Sequence, residues 1–271
     1  MLTISDTLSV RKQSQLLDIC RSSFYYKSIK NDDTDLANLI REVYLSSNCV
    51  YGYRKITKHL QMLDYIVNHK KVLRVMSEMG IEGIYPRKKF STSIVNSSHK
   101  IYPYLLEGLT ISHPNHVWAT DITYIKIHEK FVYFLAIIDL YSRYILAYDL
   151  SINMEAQFCI ECLKHALRNT KPKIFNSDQG SQFTCTDFTA ILLDKHIEIS
   201  MDHKGRCFDN IYVERLWRTL KQEAIYHEKP TTLKELEICI HRFVNWYNNE
   251  RLHQALQYNI PAKVYKNYAK S

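Results

Sequence analysis

Asp121, Asp178 and Glu214 each occupy a different kind of local sequence, and together the three settings restrict the chain to a fold that mixes strands with helices. Asp121 lies in Val117-Trp118-Ala119-Thr120-Asp121-Ile122-Thr123-Tyr124-Ile125, apolar and β-branched residues with the pattern of a buried strand and an acid at mid-run. Asp178 follows the short apolar run Ile174-Phe175-Asn176-Ser177 and precedes Gln179-Gly180-Ser181, so it projects from a strand end, with Gly180 available for a positive φ. Glu214 stands 36 positions after Asp178, where Val213, Leu216, Trp217 and Leu220 follow helical spacing behind Asp209 as the expected cap. Two unit negative charges about 5 Å apart repel by roughly 3 kcal/mol at an effective dielectric near 20. Three clustered carboxylates therefore call for something cationic between them.

Hard divalent cations meet that need, because magnesium and manganese prefer oxygen ligands and leave coordination positions for water and phosphate. A pair of such ions suits phosphodiester chemistry, one activating the attacking oxygen and the other stabilising the leaving oxygen of an in-line displacement. Asp121, Asp178 and Glu214 are thus the candidate catalytic groups and ligands of Mg²⁺ or Mn²⁺, two ions being expected, with Asp121 placed to bridge them. An isolated acid at a strand or helix end is usually structural. Asp139, in Ile138-Asp139-Leu140-Tyr141-Ser142-Arg143, is read that way, as a turn or surface acid paired with Arg143, and Asp149 similarly.

The net charge of +8 is unevenly placed: residues 1–100 hold 16 Lys and Arg against 9 Asp and Glu. A basic first third is the electrostatic footprint of a segment that meets a phosphate backbone, although charge alone also fits a merely soluble surface. The 7 cysteines are odd in number and scattered, no apolar run reaches about 18 residues, and the start carries no signal segment, which points to a soluble protein of a reducing cytoplasm.

Residues 8–26 read as a helix, a tight turn near Asp18 and a second short helix opening at Arg21, either a helix-turn-helix or a plain helical hairpin. Three further helices are expected near 35–45, 54–63 and 68–79, the last stopped by Gly80 at C′. In that last helix Val72, Val75, Met76 and Met79 face inward, leaving Lys70, Lys71 and Arg74 toward solvent or DNA. The polar, basic stretch 85–104 is read as a linker. Strands are expected near 116–127, 131–139, 142–149, 173–176 and 198–201, with helices near 154–169 and 186–195 before the Glu214 helix. Periodicity alone specifies mixed α and β.

The acidic settings, with 35 residues between Asp178 and Glu214, resemble the catalytic core of DDE transposases and retroviral integrases. The resemblance is closest to second-frame transposases of IS-three-type insertion sequences and covers nearly the whole chain. It includes Tyr51-Gly52-Tyr53-Arg54 and Tyr247-Asn248-Asn249-Glu250-Arg251-Leu252-His253-Gln254-Ala255-Leu256. It implies an α/β fold, a ribonuclease-H-like integrase core with a mixed five-stranded sheet and flanking helices, preceded by an all-α helix-turn-helix region. The expected divisions are 1–30 (helix-turn-helix), 31–84 (a second such DNA-binding region), 85–104 (linker), 105–230 (catalytic core) and 231–271 (C-terminal helical extension).

The implied activity is metal-dependent cleavage at insertion-sequence ends and transfer of the 3′-hydroxyl into DNA. A catalytically inactive DNA-binding regulator and a hydrolysis-only nuclease of related fold are the alternatives. The implied partners are double-stranded DNA (terminal inverted repeats and target), a first-frame protein or frameshift fusion, and further copies of this chain on DNA, in a bacterial cytoplasm at the nucleoid. Arg218 and Lys221, at i+4 and i+7 from Glu214, match basic residues that lie near the element's terminal nucleotides; otherwise they are a solvated helix face. Asn210 is either a cap or a DNA contact. Arg251 and His253 can contact phosphate, whereas Phe243, Trp246 and Tyr247 at helical spacing favour packing. His113, His116, Cys159 and Cys162 offer a zinc ligand set, but both cysteines fit the apolar face of a helix. His203 and Cys207 are read as parts of a mobile loop over the site, beside Asp202, where the resembled family often has Ser.

Overall fold

Apolar and β-branched runs, buried on both faces over most of their length, build a five-stranded sheet in the order β3-β2-β1-β4-β5, comprising β1 (Val117–Ile127), β2 (Lys130–Asp139), β3 (Ile145–Ser151), β4 (Ile174–Ser177) and β5 (Glu198–Met201). The first three form an antiparallel meander, and β4 and β5 extend it in parallel from β1. The computed structural model describes residues 8–25, 33–84, 100–202 and 211–267. Most of the expected linker, Asp209, Asn210 and the loop carrying His203 and Cys207 lie outside the described residues.

Ahead of the sheet lie α1 (Val10–Leu16), α2 (Ser22–Tyr25), α3 (Thr34–Ser46), α4 (Tyr53–Met62) and α5 (His69–Glu78). Asp18 turns the chain between α1 and α2 at φ 48°, and Arg21 is exposed just before α2. The Asn68 side chain accepts the Lys70 N–H and starts α5, and Gly80 ends it at φ 66°, a conformation that glycine reaches without a Cβ penalty. After β3 come α6 (Ala156–Ala166), α7 (Ser181–Thr184), α8 (Thr186–Asp194) and α9 (Ile211–Leu220). The α9 helix runs into a π-helical turn, Lys221–Ile225, and then α10 (Tyr226–Glu228), α11 (Leu233–Asn249) and α12 (Pro261–Asn267). A capping box, in which Thr232 accepts the Glu235 N–H and the Glu235 carboxylate reaches back, opens α11.

Side-chain alternation sends the two faces of the sheet into two cores. Val117, Ala119 and Ile125 of β1 join Val213, Leu216 and Leu220 of α9 and Leu236, Ile240 and Phe243 of α11. Ile40, Ile56, Leu60, Val72 and Met76 of α3 to α5 continue that same core. Trp118, Leu135 and Ile137 face the other way, against Phe158, Cys159 and Leu163 of α6 and Phe188 and Leu192 of α8. Each such aliphatic or aromatic side chain contributes about 1.5–3 kcal/mol on burial, so the sheet is held from both sides.

Polar contacts then lock the tail onto this frame. The Asn248 side chain accepts the Ile145 N–H and donates to its carbonyl, each at 2.9 Å, supplying β3 with a partner at its outer edge. The Leu252 N–H donates to the Tyr51 hydroxyl at 2.9 Å, tying the segment before α4 to the end of α11. Asp139 corrects the expectation of a surface acid: it is fully buried, accepting the Ser142 N–H and hydroxyl at 2.7 and 2.6 Å and the Asn115 N–H at 2.7 Å. Three donors substitute for water there, while Arg143 caps the Leu140 carbonyl and stacks on Tyr212 instead.

Candidate active site

Register places the first two acids side by side. Ala119 of β1 pairs with Asn176 of β4 in parallel, and two residues further along each strand lie Asp121 and Asp178. Ser177 of β4 pairs with Met201 of β5, which brings Asp202 up beside Asp178 in turn. Neighbouring strands are about 4.8 Å apart and residues in register share a face, so the row Asp121, Asp178, Asp202 crosses three adjacent strands, at mid-run in β1 and just past the ends of β4 and β5. Asp202 is the member that sequence reasoning left in a loop. Only the pairing of β4 with β5, a tertiary fact, aligns it.

Charge in this row is poorly solvated. Burial pushes the Asp121 carboxyl up to about 7, with the charges of Asp178 and Asp202 adding to the effect and hydrogen bonds from Trp217 and Ile122 opposing it. Burial also raises Asp178, opposed by the Gly180 N–H, which donates to Asp178 Oδ1 at 2.9 Å. Asp202 takes the Asn176 side-chain N–H at 2.8 Å, and its carbonyl accepts from Gln179 at 2.8 Å. Gly180 itself sits at φ −62° and does not use the positive φ open to it. Its need for glycine is one of space, because a Cβ there would lie 2.9 Å from Asp178 Oδ1.

Glu214 is not gathered into the row. It is exposed in the first turn of α9, and among the described residues no group of three or more His, Cys, Asp or Glu side chains stands ready to hold one metal ion. What α9 does bring to Asp121 is Trp217, one turn after Glu214, whose indole N–H donates to Asp121 Oδ2 at 2.8 Å. The sequence marked Trp217 only as an apolar helix position; a Trp whose buried N–H needs an acceptor was the available signal.

Arg218 is exposed on α9, one turn beyond Glu214. The helix then widens, since Lys221 opens the π-helical turn, so regular α spacing from Glu214 stops short of it. The Lys221 ammonium lies 5.1 Å from the ring of Tyr124 on β1. Lys70, Lys71 and Arg74 are exposed on α5 as expected, but Lys71 and Arg74 are bound to Asp33 at 2.7 and 2.5 Å. Arg251 is buried against Glu223 and His253 is half-buried, which favours packing over phosphate contact for the tail. Cys159 and Cys162 are buried on α6, and His113 stacks on His116 at 4.9 Å between ring centres.

Comparison with known proteins matches residues 111–207 to the family model of an integrase core domain, 195–261 to a second integrase core model and 30–89 to an HTH-like domain. The chain is 30% identical over 238 residues to the transposase for insertion sequence element IS629 of Shigella sonnei, spanning 87% of this chain and 80% of that one. It is 30% identical over 231 residues to the transposase for insertion sequence element IS904 of Lactococcus lactis subsp. lactis, spanning 83% and 91%. Transposase InsF for insertion sequence IS3A of Escherichia coli K12 is 28% identical over 258 residues, 90% of each chain. The fold is shared with a chain in the structure of the simian T-cell lymphotropic virus intasome in complex with PP2A regulatory subunit B56 gamma, at 15% identity and a TM-score of 0.50, covering 84% of this chain and 74% of that one.

Proposed function

This chain belongs to the insertion-sequence transposases of the IS-three type and is a DNA transposase with an integrase core, and on that premise we propose that Asp121, Asp178 and Glu214 are its catalytic carboxylates and metal ligands. The observation that carries the proposal is the strand register that sets Asp121 beside Asp178 in a half-buried pair whose charges act on one another. Two half-buried acids side by side on adjacent strands are costly to charge without a cation, and their all-oxygen donor set suits Mg²⁺ or Mn²⁺. A pair of such ions, when bound, supplies activation of the attacking oxygen and stabilisation of the leaving one.

Asp121 and Asp178 would hold the ions from β1 and β4, with Glu214 delivered from α9. In the first step water adds to phosphorus at the element end, the P–O3′ bond breaks, and the strand keeps a 3′-hydroxyl. In the second that hydroxyl attacks a phosphodiester of target DNA, forming a new P–O3′ bond to the element as the target's own P–O3′ bond breaks and its 3′-hydroxyl leaves. Arg218, on α9, and Lys221, at the start of its π-helical extension, would meet the phosphate backbone near Glu214, and Asn210 would precede them. Residues 105–230 form the catalytic core in this reading and 231–271 its helical extension. Residues 1–30 and 31–84, joined through 85–104, grip double-stranded DNA through Arg21, Lys70, Lys71 and Arg74. Work on two element ends at once would be done by several copies of the chain, joined with a first-frame protein, in the bacterial cytoplasm at the nucleoid.

Supplying Mg²⁺, duplexes bearing the element's terminal inverted repeats and a target plasmid tests this directly. Asp121→Asn, Asp178→Asn and Glu214→Gln should each abolish joined product while retaining gel-shift of the duplex; joining by any of the three would refute the assignment. The exposed position of Glu214 is the observation that favours an inactive DNA-binding regulator, for which the wild-type chain would shift DNA and join none.

A further inference from the structure

We infer that Trp217 is a positioning residue for Asp121, acting through its indole N–H, and that this one hydrogen bond sets the rotation of α9 and so the approach of Glu214. The inference rests on the reading of Asp121 as a metal ligand. Both carboxylate oxygens of Asp121 are held: Oδ1 accepts the Ile122 N–H at 2.7 Å and Oδ2 accepts Trp217 Nε1 at 2.8 Å. Each oxygen keeps a further lone pair, so the carboxylate is fixed in orientation without being used up. A ligand oriented by an outer partner in this way binds its metal more tightly than one free to rotate.

Trp suits the role for reasons of charge and packing. Its indole is a donor only and brings no positive charge to compete with a cation, as Lys or Arg would. The ring is buried and meets Phe134 edge-on, centres 5.4 Å apart at 72°, so its direction is set by packing. Because Glu214 lies three residues earlier on the same helix, a contact that fixes Trp217 against β1 also fixes the height and rotation of Glu214 relative to Asp121. A purely apolar side chain of the same shape would fill the space but leave Oδ2 without its donor.

The test uses the full chain and Mn²⁺, with free ion followed by its electron paramagnetic resonance signal and folding by thermal melting. Trp217→Phe removes the N–H, and benzothienylalanine in place of Trp217, introduced at that position alone, removes it with the ring shape kept should Phe pack poorly. The expected result is Mn²⁺ affinity weakened about tenfold in the benzothienylalanine protein with an unchanged melting temperature, and loss of Mn²⁺ binding in Asp121→Asn. If Asp121→Asn loses Mn²⁺ while the benzothienylalanine protein binds it as wild type does, the role of Trp217 is refuted and Asp121 stands as a ligand. If Asp121→Asn binds Mn²⁺ like wild type, the underlying reading of Asp121 is itself overturned.

Discussion

The Arg251 guanidinium forks onto the Glu223 carboxylate, Nε to Oε2 at 2.6 Å and Nη2 to Oε1 at 2.7 Å, joining the end of α11 to the π-helical turn that continues α9. Burial pushes Glu223 up, but Arg251 and Lys55 outweigh it and hold the carboxyl below its usual range. Burial pulls Arg251 down, but the Glu223 charge and hydrogen bonds outweigh it and raise the guanidinium above its usual range. Lys55 of α4 completes the group at 3.9 Å from Glu223, so the helical region, the Glu214 helix and the tail meet at one carboxylate.

Removing one member of such a pair leaves the other charge buried and alone. Glu223→Gln and Arg251→Met should each destabilise the chain by about 3–5 kcal/mol in urea unfolding, and the double substitution by much less than the sum. Additive losses would show that the two residues are not a coupled pair.

Gly180→Ala separates space from backbone conformation. At φ −62° alanine is unstrained, so global stability should change by less than about 1 kcal/mol. The added Cβ nevertheless meets Asp178 Oδ1 at 2.9 Å and must push the carboxylate aside. Strand joining should fall about tenfold or more with the melting temperature nearly unchanged; full joining activity would mean that Asp178 tolerates the shift.

His253 gives a pH dependence with a definite sign. Burial, followed by the positive charges of Arg251, Arg143, Lys55 and Arg215, pushes its imidazole down to about 3, and Nδ1 has no hydrogen-bond partner among the described residues. Between pH 6.5 and 3 the unfolded chain binds this proton and the folded chain does not, so stability is lost as pH falls through that window. The loss approaches about 1.4 kcal/mol per pH unit from this group. Comparing urea unfolding of wild type and His253→Asn from pH 6.5 to 5 isolates it: the variant should show the shallower decline, and parallel curves would contradict a buried neutral imidazole.

Local pattern carried the sheet and most helices, because strand alternation, the Asn68 cap and the Gly80 stop are decided within a few residues. The hydrophobic run around Asp121 likewise announced an acid set into a buried strand. What the chain's linear order concealed were facts of register and distance: Asp202 joins the row only through β4 and β5, and Arg251 meets Glu223 across 28 positions. The π-helical turn at Lys221 was also hidden, since apolar spacing through Leu220 continues as though the helix were regular. Gly180 shows the same limit in small: glycine was legible, but its reason lay in a neighbouring carboxylate and not in its own φ.

Asp33 holds Lys71 and Arg74 of α5 in ion pairs, which keeps two of the cations proposed to meet DNA occupied within the chain. Both cations draw the Asp33 carboxyl below its usual range, Lys71 first and Arg74 next. Asp33→Asn removes that competitor while leaving a side chain of similar size. If α5 lies on the DNA backbone, the variant should bind duplex DNA more tightly, and its log affinity should fall more steeply with log salt by about one to two units as the released cations reach phosphates. Fluorescence anisotropy across a KCl series reads both quantities. An unchanged salt slope would take α5 away from the DNA and leave Lys70, Lys71 and Arg74 as a solvated helix face.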